Sequence, residues 1–267
     1  MPKSGAEALS EDRIVFTNGF AAVVDGCSNR LGLEYEGFSP GFIASKCIEL
    51  AISRFALDVD VFDALRIMND TIREWYLEHG LLDIVRQDPR MRISCYFAIF
   101  SEYRREVWVL GDCKALVGNN LITSEKNIDK LHESLRSFFL RAEILKGKSE
   151  EELYMLQDEI QSFTNCISSN QAFFQNSTDS LFGYSAMDGF YNQFNNLKVY
   201  EIPEGIDELV LSSDGYPKLY NNLADSESYL LTQIRQDPLC FKSNLSVKGV
   251  CPGFNSYDDR SYLRIKI

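Results

Sequence analysis

Ile14-Val-Phe-Thr-Asn-Gly-Phe-Ala-Ala-Val-Val-Asp-Gly26 is two short apolar runs split by Asn18-Gly19. An Asn-Gly step between such runs predicts a tight hairpin, because both central residues of that turn need positive φ. Strands are expected over Ile14–Phe16 and Ala21–Val24, with Asp25-Gly26 ending the second. Next along the chain, Pro40–Leu57 carries apolar residues at helical spacing, with Ser39 as the cap and Pro40 in the first turn. Val61–Leu77 repeats that pattern, and the two helices are expected to pack side by side.

The period then changes. Ile93–Phe100 is rich in β-branched and aromatic residues, and the charged turn EYRRE leads into Val107–Leu110, a second hairpin. Lys114–Val117 is extended until Gly118-Asn119-Asn120 turns the chain. Ile128–Phe163 reads as helical and heavily charged, while the aromatic, Gly-containing Phe173–Gly189 matches no element. Leu197–Ile202, Glu208–Ser213 and Arg260–Ile267 read as strands, and Asp225–Arg235 as a helix. Adjacent antiparallel hairpins favour an α+β layered fold over a parallel βαβ series. No Gly/Ser-rich linker divides the chain, so residues 1–267 read as one domain.

Of the 267 residues, 45% are hydrophobic and 25% charged, which is ordinary globular composition. The net charge of −12 repels a phosphate backbone and argues against nucleic-acid binding. No apolar run is long enough to span a bilayer, and the amino terminus has no apolar signal core, so no membrane association is expected. The seven cysteines are scattered, none at CxxC spacing, and neither histidine has a cysteine nearby. A thiolate and imidazole zinc site is therefore unsupported, and reduced thiols in the cytoplasm are the expectation.

Acidic residues recur where predicted strands stop. Glu11-Asp12 precede the first strand, Asp25 ends the second, Asp112 follows Gly111, Asp214-Gly215 follow LVLSS, and Asp258-Asp259 precede the last. Any one of these is ordinary turn chemistry. Strand ends can converge on one edge of a sandwich, however. Two unit charges ~4 Å apart repel by about 4 kcal/mol at an effective dielectric near 20. A converged set therefore needs protons or a cation, and all-oxygen ligation selects a hard ion, Mg²⁺ or Mn²⁺.

In order and context these segments resemble the metal-dependent protein phosphatases of the type 2C class, in a compact bacterial form. The similar pieces are SEDR (Ser10–Arg13), AAVVDG (Ala21–Gly26), SCYFAIF…EVWVLGDCKALV (Ser94–Val117), ELVLSSDG (Glu208–Gly215) and DDRSYLRI (Asp258–Ile265), spanning nearly the whole chain. The resemblance implies a four-layer α-β-β-α fold, a β-sandwich of two antiparallel sheets flanked by helices on both faces. It also implies a site for two Mg²⁺ or Mn²⁺ ions at one end of the sandwich. By motif, Asp25 bridges both ions, the Gly26 carbonyl is a ligand, and Asp214 and Asp258 hold one ion. Glu11 and Asp12 hold the other, directly or through water. Asp112 matches the ligand of a third, weaker ion, and Asp259 stands behind the ligands. The implied activity is hydrolysis of phosphoserine and phosphothreonine in proteins by a water activated between the ions, with no phosphoenzyme.

Three positions depart from the family pattern. Glu7 stands where the family often has a phosphate-gripping arginine; Lys3, Arg13 and Arg30 are candidate substitutes, each read more simply as a solvated surface cation. Cys27 replaces a histidine proton donor. Lys218 replaces an aspartate that helps hold the third ion. Glu7 and Cys27 keep a second reading open, a catalytically weak or inactive phosphatase-like binding or regulatory module. The same chemistry on a small phosphoester is a third. Lys248-Gly249 reads as a loop before the last strand, in reach of substrate but more simply a turn.

Overall fold

The computed structural model describes residues 1–5, 10–124, 126–179, 181–191 and 196–267. Strands β1 (Arg13–Thr17) and β2 (Phe20–Gly26) form the expected hairpin, pairing Thr17 with Phe20 across the turn. Of the two central residues only Gly19 sits at positive φ, 87°. Helices α1 (Pro40–Ser53) and α2 (Val61–Glu78) follow, and the short α3 (Leu82–Gln87) leads into β3 (Cys95–Ser101) and β4 (Glu106–Leu110). The Ser39 hydroxyl caps α1 by accepting from the Phe42 N–H, and Asp60 caps α2. Strands β5 (Lys114–Val117) and β6 (Asn120–Ile122) precede a helical block, α4 (Asn127–Leu145), α5 (Glu150–Met155) and α6 (Gln157–Ser168). Strands β7 (Lys198–Glu201) and β8 (Glu208–Ser212), helix α7 (Leu223–Gln236) and strand β9 (Tyr262–Lys266) complete the order.

Among the described residues the strands form two antiparallel sheets, ordered β1-β2-β3-β4-β7 and β6-β5-β8-β9. The two-residue period of the strands sorts their side chains onto opposite faces. Ala21, Val23, Ala98, Phe100, Val107 and Val109 face the second sheet, meeting Ala115, Leu209 and Leu211. Val24, Phe97, Ile99 and Trp108 face the other way, against Ala44, Ile48, Leu65 and Met68 of α1 and α2. Burying each large side chain of this kind contributes about 1.5–3 kcal/mol. On the outer face of the second sheet, Tyr262 packs with Tyr216 and with Leu230 and Ile234 of α7. The result is helices on both outer faces of a sandwich. Among the described residues, no helix is long and apolar enough to cross a membrane.

Two stretches differ from the sequence expectation. The run over Ile128–Phe163 is three helices, because Gly147 follows α4 and Ser149 opens α5 with a reciprocal capping box to Glu152. The segment Phe173–Gly189 is held by polar contacts that leave no periodic signature. The fully buried Asp188 accepts from Arg92 Nη1 (3.0 Å), Gln175 Nε2 (2.7 Å), Asn176 Nδ2 (2.8 Å) and the Phe190 N–H (2.8 Å). Met187 bridges to Cys95 beside β3, which carries this segment onto the sandwich.

Candidate metal centre

Asp25 has the parity of Ala21 and Val23, so it turns toward the space between the sheets where β2 ends. Asp112 lies in the link between β4 and β5, and Asp214 follows β8. Both sheets thus contribute to one end of the sandwich. Ligand oxygens of Asp25, Asp112 and Asp214 all lie within 4.8 Å of one another. They line a cavity of about 600 Å³ shared with Glu11, Asp12 and Asp258. Gly26 follows Asp25 against Gly41 of α1. A Cβ on Gly26 would stand 2.2 Å from the Gly41 carbonyl oxygen, so only glycine lets β2 end this close to the helix.

The electrostatics carry the mark of unshielded carboxylates. Burial, then the charges of Asp214, Asp12 and Asp112, holds the Asp25 carboxyl well above the usual range. Burial, followed by Asp258 and Asp112, pushes Asp214 up to about 8. Burial pushes Asp12 up to about 7, against hydrogen bonds from Ser213 and with Asp259 adding to the rise. Asp12 Oδ2 and Asp112 Oδ1 are buried and accept no hydrogen bond. An oxygen-only donor set with orphaned carboxylate atoms fits a hard divalent cation such as Mg²⁺ or Mn²⁺.

The remaining acidic positions are differently engaged. Asp258 Oδ2 lies 2.5 Å from Lys248 Nζ and its Oδ1 lies 3.1 Å from Lys3 Nζ. Burial raises its pKa, but the two ammonium groups override that and hold it far below the carboxylate range. Glu11 accepts from the Ser28 hydroxyl (2.6 Å) and the Ser39 hydroxyl (2.7 Å), which ties the start of β1 to the cap of α1. Asp259 also lines the cavity and accepts from the Glu11 N–H (2.9 Å) and the Lys3 N–H (2.9 Å). Glu7 lies outside the described residues.

Lysines that sequence reading passed over also enter the site. Lys126, at the start of α4, pairs with Asp112 (2.8 Å) and Asp129 (3.1 Å) and sits 4.0 Å from the Tyr96 ring centre. The Lys114 ammonium donates to the Tyr216 carbonyl from the cavity wall. Of the suggested phosphate-gripping residues, Lys3 and Arg30 line the cavity. Arg13 instead stacks on Phe42 (4.6 Å) and pairs with Glu49 (3.7 Å). Lys218 is exposed over the rings of Tyr220 and Tyr229, so it does not oppose a cation in the cavity. Cys27 lines the cavity, and burial pushes its thiol up to about 12. No periodicity marks Lys126 or Lys248, since both lie at loop and helix-start positions. Their only sequence signal is a cation near a strand-end carboxylate.

The chain is similar to several solved serine/threonine phosphatases. With the Mycobacterium tuberculosis serine/threonine phosphatase PstP/Ppp it shares 16% identity over 85% of this chain and 80% of that one, at a TM-score of 0.40. With Stp1 from Staphylococcus aureus the identity is 13% over 97% and 89%, TM-score 0.44. With the PPM Ser-Thr phosphatase MsPP from Mycobacterium smegmatis, solved in complex with cacodylate, it is 14% over 97% and 92%, TM-score 0.45. No protein-family profile and no curated protein sequence matches the chain.

Proposed function

We propose that this chain is a Mg²⁺- or Mn²⁺-dependent phosphatase acting on phosphoserine and phosphothreonine in proteins. The observation that carries the reading is the convergence of Asp25, Asp112 and Asp214 within 4.8 Å, from both sheets, on a cavity rich in charged side chains. Asp25 and Asp214 would hold the cation, with Asp112 and the orphaned Asp12 Oδ2 completing its surroundings. Asp258 stands beside them in the same cavity, the further ligand that the resemblance implies. A divalent ion bound there supplies Lewis-acid polarisation of a phosphoryl oxygen and lowers the pKa of a coordinated water from 15.7 toward about 7. Lys3 and Lys248 add fixed positive charge at the cavity wall, matched to the dianionic phosphoryl group. Asp129 and Glu133 of α4, with Gln161 and Asn165 of α6, wall the cavity and give a peptide polar groups to meet. The proposal takes residues 1–267 as one catalytic unit. It places the protein in the cytoplasm, which the free state of all seven cysteines supports.

The test is turnover of p-nitrophenyl phosphate and of phosphopeptides by the purified chain, with and without Mn²⁺. Metal-dependent release of phosphate from phosphopeptides is expected, and its absence on every substrate overturns the reading. A second reading, a phosphate-binding module of little or no activity, is favoured by one observation. Lys126 on Asp112 and Lys3 and Lys248 on Asp258 neutralise two carboxylates without any metal. Phosphopeptide binding without turnover would select it.

A further inference from the structure

Lys248 is the cation on which the site turns. Its ammonium donates to Asp258 Oδ2 (2.5 Å) and to the Ser28 hydroxyl (3.3 Å), which accounts for two of its three N–H bonds. It lies in the 244–249 segment, which lines the cavity together with Asp25 at the end of β2. Lys248 lines the same cavity as Asp25, Asp112 and Asp214. The segment is fixed from behind, where the Val250 N–H donates to the Pro238 carbonyl (2.9 Å) and the Lys248 N–H donates to the Ser246 hydroxyl (3.2 Å). Lys3 neutralises the other oxygen of Asp258. The two ammonium groups thus converge on one carboxylate, in a cavity whose other lining is rich in acid.

We infer that Lys248, steadied by Asp258 and Ser28, is the side chain that grips the phosphoryl oxygens of the substrate, the task for which Glu7 has the wrong charge. The inference rests on the phosphatase reading and names the substrate contact within it. Lys248 acts by binding, so it lowers KM more than it raises kcat.

The test uses the full chain and inorganic phosphate as the probe, followed by calorimetric titration, beside phosphopeptide kinetics. In the Mn²⁺-loaded chain, Lys248→Met is expected to weaken phosphate at least tenfold and to raise KM by a similar factor, with Mn²⁺ affinity within threefold. Lys248→Arg is expected to recover most of the loss, and Lys218→Met, on the exposed surface, to change nothing. If Lys248→Met fails to fold, metal-free Asp258→Asn decides the matter. Freed of its counter-charge, Lys248 should then bind phosphate at least threefold tighter than in the unsubstituted chain. Phosphate affinity unmoved in both variants overturns the inference, as does a parallel loss of Mn²⁺ and phosphate in Lys248→Met. Absence of turnover with phosphate binding intact overturns the phosphatase reading alone.

Discussion

Asp214 and Asp258 line the same cavity under opposite electrostatic loads. Asp214 is crowded by Asp258 and Asp112, whereas Asp258 is clasped by Lys248 at 2.5 Å and Lys3 at 3.1 Å. A cation therefore gains more from Asp214, loaded by its acidic neighbours, than from Asp258, which two ammonium groups already offset.

Asparagine substitutions separate these loads. Asp214→Asn and Asp25→Asn should weaken Mn²⁺ binding at least tenfold, about 1.4 kcal/mol or more. Asp258→Asn should weaken it less, because its charge is already offset. Calorimetric titration of the three variants checks the order, and Asp258→Asn as the most damaging would refute it.

The raised carboxyls also set a pH dependence. A carboxyl whose folded pKa exceeds its unfolded value keeps its proton longer in the folded state, so the metal-free protein loses stability as pH rises toward the folded pKa. With Asp12 near 7, Asp214 near 8 and Asp25 well above the usual range, metal-free Tm should fall between pH 7 and pH 8.5. His132 is held below its usual value by burial and acts in the opposite sense, but at lower pH, outside this window. Each kcal/mol is worth about 2–4 °C in a chain of this size. Mn²⁺ should abolish the slope. A melting series at constant ionic strength that rises with pH would contradict the site electrostatics.

How much of this was legible in the amino-acid order follows the physics of each part. The β1–β2 hairpin, α1, α2 and the β3–β4 pair were readable because their side chains alternate between two environments at a fixed period. The strand-end carboxylates were readable because Asp-Gly steps punctuate those strands. Asp188 was not, since its four donors come from Arg92, Gln175, Asn176 and Phe190, none at a regular spacing. Lys126 escaped for the same reason, and Lys248 was seen only as a loop cation in reach of substrate, its pairing with Asp258 unforeseen. Ion pairs between loops are set by tertiary approach, which periodicity does not encode.

That buried cluster gives a stability prediction distinct from the site. Asp188 is fully buried and bonded to the largely covered Arg92 at 3.0 Å, so Asp188→Ala removes that guanidinium's counter-charge and leaves Gln175 and Asn176 without their acceptor. Breaking such a pair costs about 3–5 kcal/mol. Urea denaturation should show that loss, with Mn²⁺ affinity in the folded fraction unaltered.

Cys27 is expected to be a quiet thiol. With burial holding its pKa near 12, it stays protonated at neutral pH and attacks electrophiles slowly. Iodoacetamide at pH 7.5 should label the exposed Cys166 well before Cys27, as peptide mapping can read. Cys27→Ser should leave kcat within threefold. A loss of about a hundredfold with metal affinity intact would make the thiol a proton donor, the magnitude general acid catalysis supplies.

The clustered carboxylates belong to segments far apart in the chain, Asp25 from the first sheet, Asp112 from the link between the sheets and Asp214 from the second. A chain that has formed one sheet and not the other has no site at all. A divalent cation thus discriminates between the finished sandwich and every half-assembled form, and its binding energy falls on both sheets as a single cooperative unit. At a free concentration one hundred times its dissociation constant, that coupling is worth about 2.7 kcal/mol. Amide hydrogen exchange in β2 and in β8 would slow together, although the two strands lie in different sheets.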